Sequence, residues 1–305
     1  MPRQTASLLS RTLPFPGSLC RTRSMPRLLP VPPLPTPTEV SNMITKTKST
    51  VLLGLAVLLA APAAHAGGLW GDKMEATFGA GVLYGPLYAG SDESQAILVP
   101  VLSVQRGILF ADSTRGAGLQ YQFGNGLYLS QSIYYDLGRL ERDSSWRPGS
   151  DSLKGMGRVP GSVTTKTMLV QPLGDRFNVS AEAEYALRSS AHRLRYRLGA
   201  EAKLFNGDAN DVFLTADVHG GDRDFNQAYY GVSIAQADAT GRRAFSADSG
   251  INAYAAGVRW EHKFGDRWMG IAQINAMRYA HDVSGSSIIE RRNSVFGNVA
   301  LTYTY

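Results

Sequence analysis

Two neighbouring stretches alternate between apolar and polar residues for longer than a soluble sheet requires. In 177–188, Phe177, Val179, Ala181, Ala183, Tyr185 and Leu187 fall on one face, with Asn178, Ser180, Glu182, Glu184 and Arg188 on the other. In 193–204, Leu194, Tyr196, Leu198, Ala200, Ala202 and Leu204 alternate with Arg193, Arg195, Arg197, Gly199, Glu201 and Lys203. A helix would scatter these residues around its circumference; a strand sorts them by face. Strands of soluble sheets average about five or six residues, whereas a tilted strand needs about 9–11 to cross a bilayer. The pattern therefore predicts an all-β fold, a transmembrane antiparallel β-barrel. A secreted β-sandwich would have shorter strands and fewer Arg and Glu residues facing its core.

The formal net charge of +6 suggests an anionic partner until its position is considered. Residues 1–66 hold seven of the 31 basic residues and one of the 25 acidic ones, leaving 24 of each sign in 67–305. The surplus belongs to the front end. From Met43, Lys46 and Lys48 form a positive region, 51–61 an apolar one, and Ala64-His65-Ala66 a small-x-small site. These are the parts of a secretory signal peptide spanning 43–66, with cleavage expected between Ala66 and Gly67. The Arg- and Pro-rich stretch 1–42 is expected to be a disordered upstream extension, with Met43 the working start. Cys20 is the only cysteine, so disulfides and thiol chemistry are excluded from 67–305.

Turn chemistry sets the strand count. Phe123-Gly124-Asn125-Gly126, Leu173-Gly174-Asp175-Arg176 and Phe264-Gly265-Asp266-Arg267 supply the Gly and Asn/Asp residues of tight hairpins, and Phe205-Asn206-Gly207-Asp208 is a longer relative. Short turns belong on the periplasmic side of a barrel with an even number of strands. This predicts twelve strands: 74–84, 96–105, 107–112, 115–123, 126–137, 162–171, 176–187, 191–204, 211–219, 251–264, 267–281 and 293–305. The stretch 229–236 also reads as strand, but spanning there would break the parity. It is assigned to an outer excursion, 220–250. In the last strand Val299, Leu301, Tyr303 and Tyr305 alternate onto the lipid face and end on an aromatic.

On this register the lumen receives Lys166, Glu182, Glu184, Arg193, Arg195, Arg197, Glu201, Lys203, Asp217, Arg259, Glu261 and Lys263. A turn centred between Ser189 and Ser190 would set Glu184 opposite Arg195 and Glu182 opposite Arg197. Mixed charges in a small barrel are expected to pair and fill the interior. No single-sign ring suggests ion selectivity. Asp217 and His219 could activate a water at the mouth, but no serine is placed beside His219 and no His-x-x-x-His spacing occurs. The expectation is a non-enzyme without cofactor or metal. No phosphate loop or basic aromatic groove points to nucleic acid.

Several segments carry a resemblance. Tyr84-Gly85-Pro86-Leu87-Tyr88-Ala89-Gly90-Ser91-Asp92, with Pro100 beyond it, resembles the Pro-x-Tyr-x-Gly-Ser segment of the MltA-interacting protein (MipA/OmpV) family. Leu153-Lys154-Gly155-Met156-Gly157 is similar to its Leu-x-Gly-x-Gly stretch. Tyr229-Tyr230-Gly231-Val232-Ser233, with Gln236-Ala237 and Ser249-Gly250, is similar to its Tyr-Phe-Gly-Val segment, and Ser287-Ile288-Ile289 to its Ser-Pro-Ile. The proline after Ser287 is absent, and Tyr305 stands where Phe is commoner. The resemblance implies a Gram-negative outer-membrane protein surrounded by lipid, scaffolding a lytic transglycosylase and a bifunctional murein synthase. Alternatives are a narrow solute pore, an adhesin using 138–160 and 220–250, and a hydrolase at the mouth.

Overall fold

The computed structural model describes residues 71, 73–188 and 192–305. The signal peptide, its cleavage site at Ala66 and Gly67, the upstream stretch and the turn centre at Ser189-Ser190 lie outside the described residues.

Twelve strands form one closed antiparallel barrel, each pairing with its sequence neighbours and β1 closing against β12. They are β1 (Met74–Pro86), β2 (Ser94–Arg106), β3 (Leu109–Asp112), β4 (Gly116–Gln122), β5 (Tyr128–Asp136), β6 (Ser162–Leu173), β7 (Phe177–Ala186), β8 (Leu194–Asn206), β9 (Asn210–Gly221), β10 (Gly250–Lys263), β11 (Trp268–Tyr279) and β12 (Asn293–Thr304). The count agrees with the turn parity. Short turns gather at one end, where Gly174 takes the left-handed φ of 72° that the β6–β7 hairpin requires. Long connections gather at the other.

The outer face follows the alternation. Val82, Leu98, Ile133, Leu198, Ile274 and Val299 are exposed along the middle of the wall. Phe123, Phe177, Phe264 and Trp268 are exposed at the short-turn end, and Tyr84, Tyr135, Tyr185 and Tyr254 toward the long-loop end. An apolar band between two aromatic belts is the surface a barrel presents to a bilayer. In β12, Val299, Leu301 and Tyr303 pair with outward residues of β1 and β11, and Tyr305 is 82% exposed.

The structure corrects two expectations. The predicted span 107–112 is only the four-residue β3, about 13 Å at 3.3 Å per residue and too short to cross a bilayer. It forms a low hairpin with β4 that meets β2 only at Ser103–Arg106. Toward the other end, residues 94–101 of β2 have no strand partner on that side among the described residues. Leu102 directs its N–H and C=O to Ser113 on the open side, at 3.2 and 2.8 Å. The even positions before it point the same way, so the N–H that Pro100 lacks would have faced the unpaired edge. Proline is tolerated at such an edge and discourages further pairing there.

The second correction concerns 229–236, which is not strand. The excursion holds two helices, α1 (Arg223–Tyr230) and α2 (Ile234–Thr240). Asp222 caps α1 by accepting from Phe225 N at 2.7 Å. Ser233 and Gln236 form a capping box at α2. These start signals outweigh the β propensity of Tyr-Tyr-Gly-Val.

The hydrophobic core sits at the long-loop end. One cluster holds Tyr230, Ala247, Ala253, Tyr279, Val283 and Ile289. A second holds Tyr88, Leu153, Met156, Val232 and Ile288. Connections 87–93, 137–161, 222–249 and 280–292 thus fold together into a cap with its own interior.

Candidate functional site: a capped chamber beside a charged wall

The cap is fastened by polar groups that reach between loops. Asn226 is fully buried; its amide donates to Asp248 O at 2.8 Å and accepts from Asn252 at 3.0 Å. Tyr88 donates to Ile288 O at 3.3 Å, and Ser286 to Tyr230 O at 2.5 Å. Arg242 donates to Ser287 O, to Ser152 O at 2.8 Å and to Glu290 at 3.3 Å, drawing three connections together. Gly90 adopts a left-handed φ of 97°, and a Cβ there would collide with Ile289. The segments that carried the sequence resemblance therefore meet in one place: Tyr88, Leu153, Met156, Val232 and Ile288 are a single cluster.

Beneath the cap lies a cavity of about 500 Å³. Its apolar side includes Tyr88, Phe225, Tyr229, Tyr279, Met277 and Phe296; its charged side includes Arg139, Glu182, Arg195 and Arg197, with His219 between. Burial pushes the Tyr88 phenol up to about 12, partly offset by its hydrogen bond with Ser152. The same cause raises Tyr229 and Tyr230, so all three are neutral donors at physiological pH.

The charged wall runs over β6–β10. The observed register sets Glu184 opposite Arg195 and Glu182 opposite Arg197. Glu184 is held by Arg195 at 2.7 Å and Lys166 at 3.3 Å, and Glu182 by Arg197 at 3.4 Å and Lys166 at 3.6 Å. Asp217 takes Arg197 at 2.7 Å. Farther down, Arg259 bridges Glu201 and Glu261, both at 2.8 Å, and Lys203 reaches Asp211 at 3.8 Å. Arg193 meets Asp136 at 3.5 Å, a partner that the alternation did not indicate. Lys263 stands apart, exposed at the short-turn rim without an ion pair among the described residues. Unlike charges opposed on neighbouring strands favour the register that brings them together.

The opposite wall is different. Leu83, Ile97, Val99 and Val101 share the inward phase of β1 and β2, beside Gly79 and Gly81. The lumen is therefore two-sided, charged over β6–β10 and apolar over β1–β2. At the mouth, Asp217 is committed to Arg197, and no side-chain hydrogen bond involves the His219 ring among the described residues. Nor do the described residues contain a group of three or more His, Cys, Asp or Glu able to hold a metal.

Alternation exposed one wall of this site, but Arg139 escaped it. It lies in a connection, only 3% exposed, donating to Tyr229 O at 2.8 Å. Burial lowers its pKa. The residue next to Gly138 in an irregular loop carries no periodic signal that would mark it.

Comparison with solved structures finds outer-membrane barrels. A bacterial polysaccharide outer membrane secretin is similar at 9% identity and TM-score 0.43, covering 76% of this chain and 98% of that one. An outer membrane channel from Pseudomonas putida F1 is similar at 13% identity and TM-score 0.42, covering 79% and 100%. The translocator domain of autotransporter NalP from Neisseria meningitidis is similar at 11% and TM-score 0.35, covering 87% and 97%. No curated protein matches the chain. The model of the family described as MltA-interacting protein MipA matches residues 78–305, from within the first strand to the last residue. The chain is an outer-membrane β-barrel protein and belongs to the MltA-interacting protein MipA family.

Proposed function

We propose that this protein is a stoppered barrel that anchors murein-remodelling enzymes, a lytic transglycosylase with a murein synthase, at the inner face of the outer membrane. The observation that carries this reading is the cap. A mouth filled by four interlocked connections with their own hydrophobic clusters suits a fixed anchor better than a conduit. The family's description supports the transglycosylase partner, and the synthase follows only from the family resemblance. Docking falls to the short-turn end, where Asp175, Arg176, Asp266 and Arg267 project beyond the Phe264 and Trp268 belt. A stable interface needs about 800 Å² per partner. No three-residue turn offers that area, so the partner must engage several turns around the rim.

The test is capture of a purified lytic transglycosylase and a murein synthase on the immobilised mature protein in detergent. Recovery of both, reduced by charge reversal at Asp175, Arg176, Asp266 and Arg267 together, is the expected result. Recovery of neither by correctly folded barrel removes the scaffold role. The competing pore reading predicts stepwise conductance in planar bilayers, where the stoppered barrel should stay silent.

A further inference from the structure

We infer that the chamber under the cap is a binding site for an organic anion, a carboxylate on an aromatic or compact apolar body, with Arg139 as its counter-charge. The inference is independent of any murein role.

The first ground is charge balance. The chamber's other arginines have carboxylates: Arg195 has Glu184, and Arg197 has Asp217 and Glu182. Arg139 has none within ion-pair distance among the described residues. Tyr88, Tyr229 and Tyr230, all neutral, lie close enough to act on it, and Arg242 adds a like charge. A guanidinium stays protonated under these conditions, and a buried charge without a partner is strongly disfavoured. Its Nε is also buried without a hydrogen-bond partner. Arg139 is thus a nearly enclosed cation on the chamber boundary with donor capacity in reserve.

The second ground is shape and lining. About 500 Å³ falls within the usual range for small-molecule sites, which are mostly apolar with a few convergent polar groups. Phe225 and Tyr229 pack as tilted rings with centroids 4.7 Å apart, and Tyr230 and Tyr279 meet edge to face at 6.1 Å. Met277 and Phe296 complete an apolar seat. An inorganic anion would use the guanidinium and leave this surface unfilled. A neutral hydrocarbon would fill it and leave Arg139 unpaired. A carboxylate with an apolar body satisfies both, and guanidinium–carboxylate geometry is favourable for it.

The experiment is calorimetric titration of the full barrel in nanodiscs with 1-naphthaleneacetate, using 1-naphthaleneacetamide and inorganic phosphate as controls. Saturable one-to-one binding of the acid is expected, at least tenfold tighter than that of either control. Arg139→Gln should abolish the preference for acid over amide, and Met277→Trp, which fills the seat without touching the arginine, should weaken the acid at least tenfold. Should Arg139→Gln lose the cap, Arg139→Lys and Met277→Trp remain as probes of charge and seat. The inference is overturned by absence of saturable acid binding to folded protein, by equal affinity for acid and amide, or by phosphate binding as tightly as the acid. Indifference of acid binding to Met277→Trp also overturns it.

Discussion

The buried side-chain amides of Asn226 and Asn252 are joined at 3.0 Å, tying the first helix of the cap to the wall of β10. Neither has appreciable access to solvent, so each depends on the other and on nearby carbonyls. Asn226→Leu would leave the buried Asn252 amide unsatisfied, at about 1–3 kcal/mol. The expected outcome is a barrel that keeps its heat-modifiable migration in gels while trypsin cuts faster after Arg242 and Arg243. Unchanged cleavage kinetics would contradict the locking role.

Glu184 is 3% exposed and receives both Arg195 and Lys166. Glu184→Gln leaves Arg195 without its carboxylate and Lys166 with Glu182 alone, and should cost about 3 kcal/mol in urea unfolding from detergent. That is the low end for a broken buried pair, because Arg195 is 42% exposed to the chamber and water there screens it. Arg195→Met alone should also destabilise. In the double variant the loss should be less than the sum of the singles, since the two share one interaction.

Leu98 is 78% exposed on the lipid face, whereas its neighbour Ile97 faces inward. Leu98→Arg should cost about 2–4 kcal/mol in a lipid-reconstituted barrel. Ile97→Gln should cost less. The reverse order would mean that the assigned faces are exchanged.

The Tyr88 phenol, raised from its ordinary 10.0 to about 12, gives the cap an alkaline limit. The folded state holds this proton more tightly than the unfolded state, so the associated stability is complete below pH 10. It declines as the pH climbs toward 12. Ultraviolet phenolate absorbance should show several late-titrating tyrosines, of which the one titrating toward pH 12 is lost in Tyr88→Phe, and cap proteolysis should rise over the same interval.

The barrel is legible in the sequence because its constraint is local. Alternation at Phe177–Ala186 and Leu194–Asn206 assigns faces residue by residue, and Gly-Asp-Arg turns fix where the chain reverses. The cap is not legible in that way. Tyr229-Tyr230-Gly231-Val232 favours strand in isolation, and the caps at Asp222 and Ser233 prevail together with contacts to Phe245, Ser286 and Ile289 from distant loops. Arg139 is hidden for the same reason: its importance comes from tyrosines in other connections. The β3–β4 stretch is shorter than predicted because Asp112 accepts from Thr114 N and Arg115 N, which turns the chain straight after Leu109-Phe110-Ala111-Asp112.

The low β3–β4 hairpin has a consequence for the membrane around it. A full-height cylinder presents the same depth of greasy surface to lipid in every direction, but this wall is indented on one side. Acyl chains would have to bend to fill the space beside residues 94–101, so the bilayer should be thinned on that flank. Such a dimple gives the barrel a compass bearing within the plane of the membrane. Short-tailed lipids, and any protein that also thins the bilayer, should collect on that flank, orienting the barrel without a specific contact.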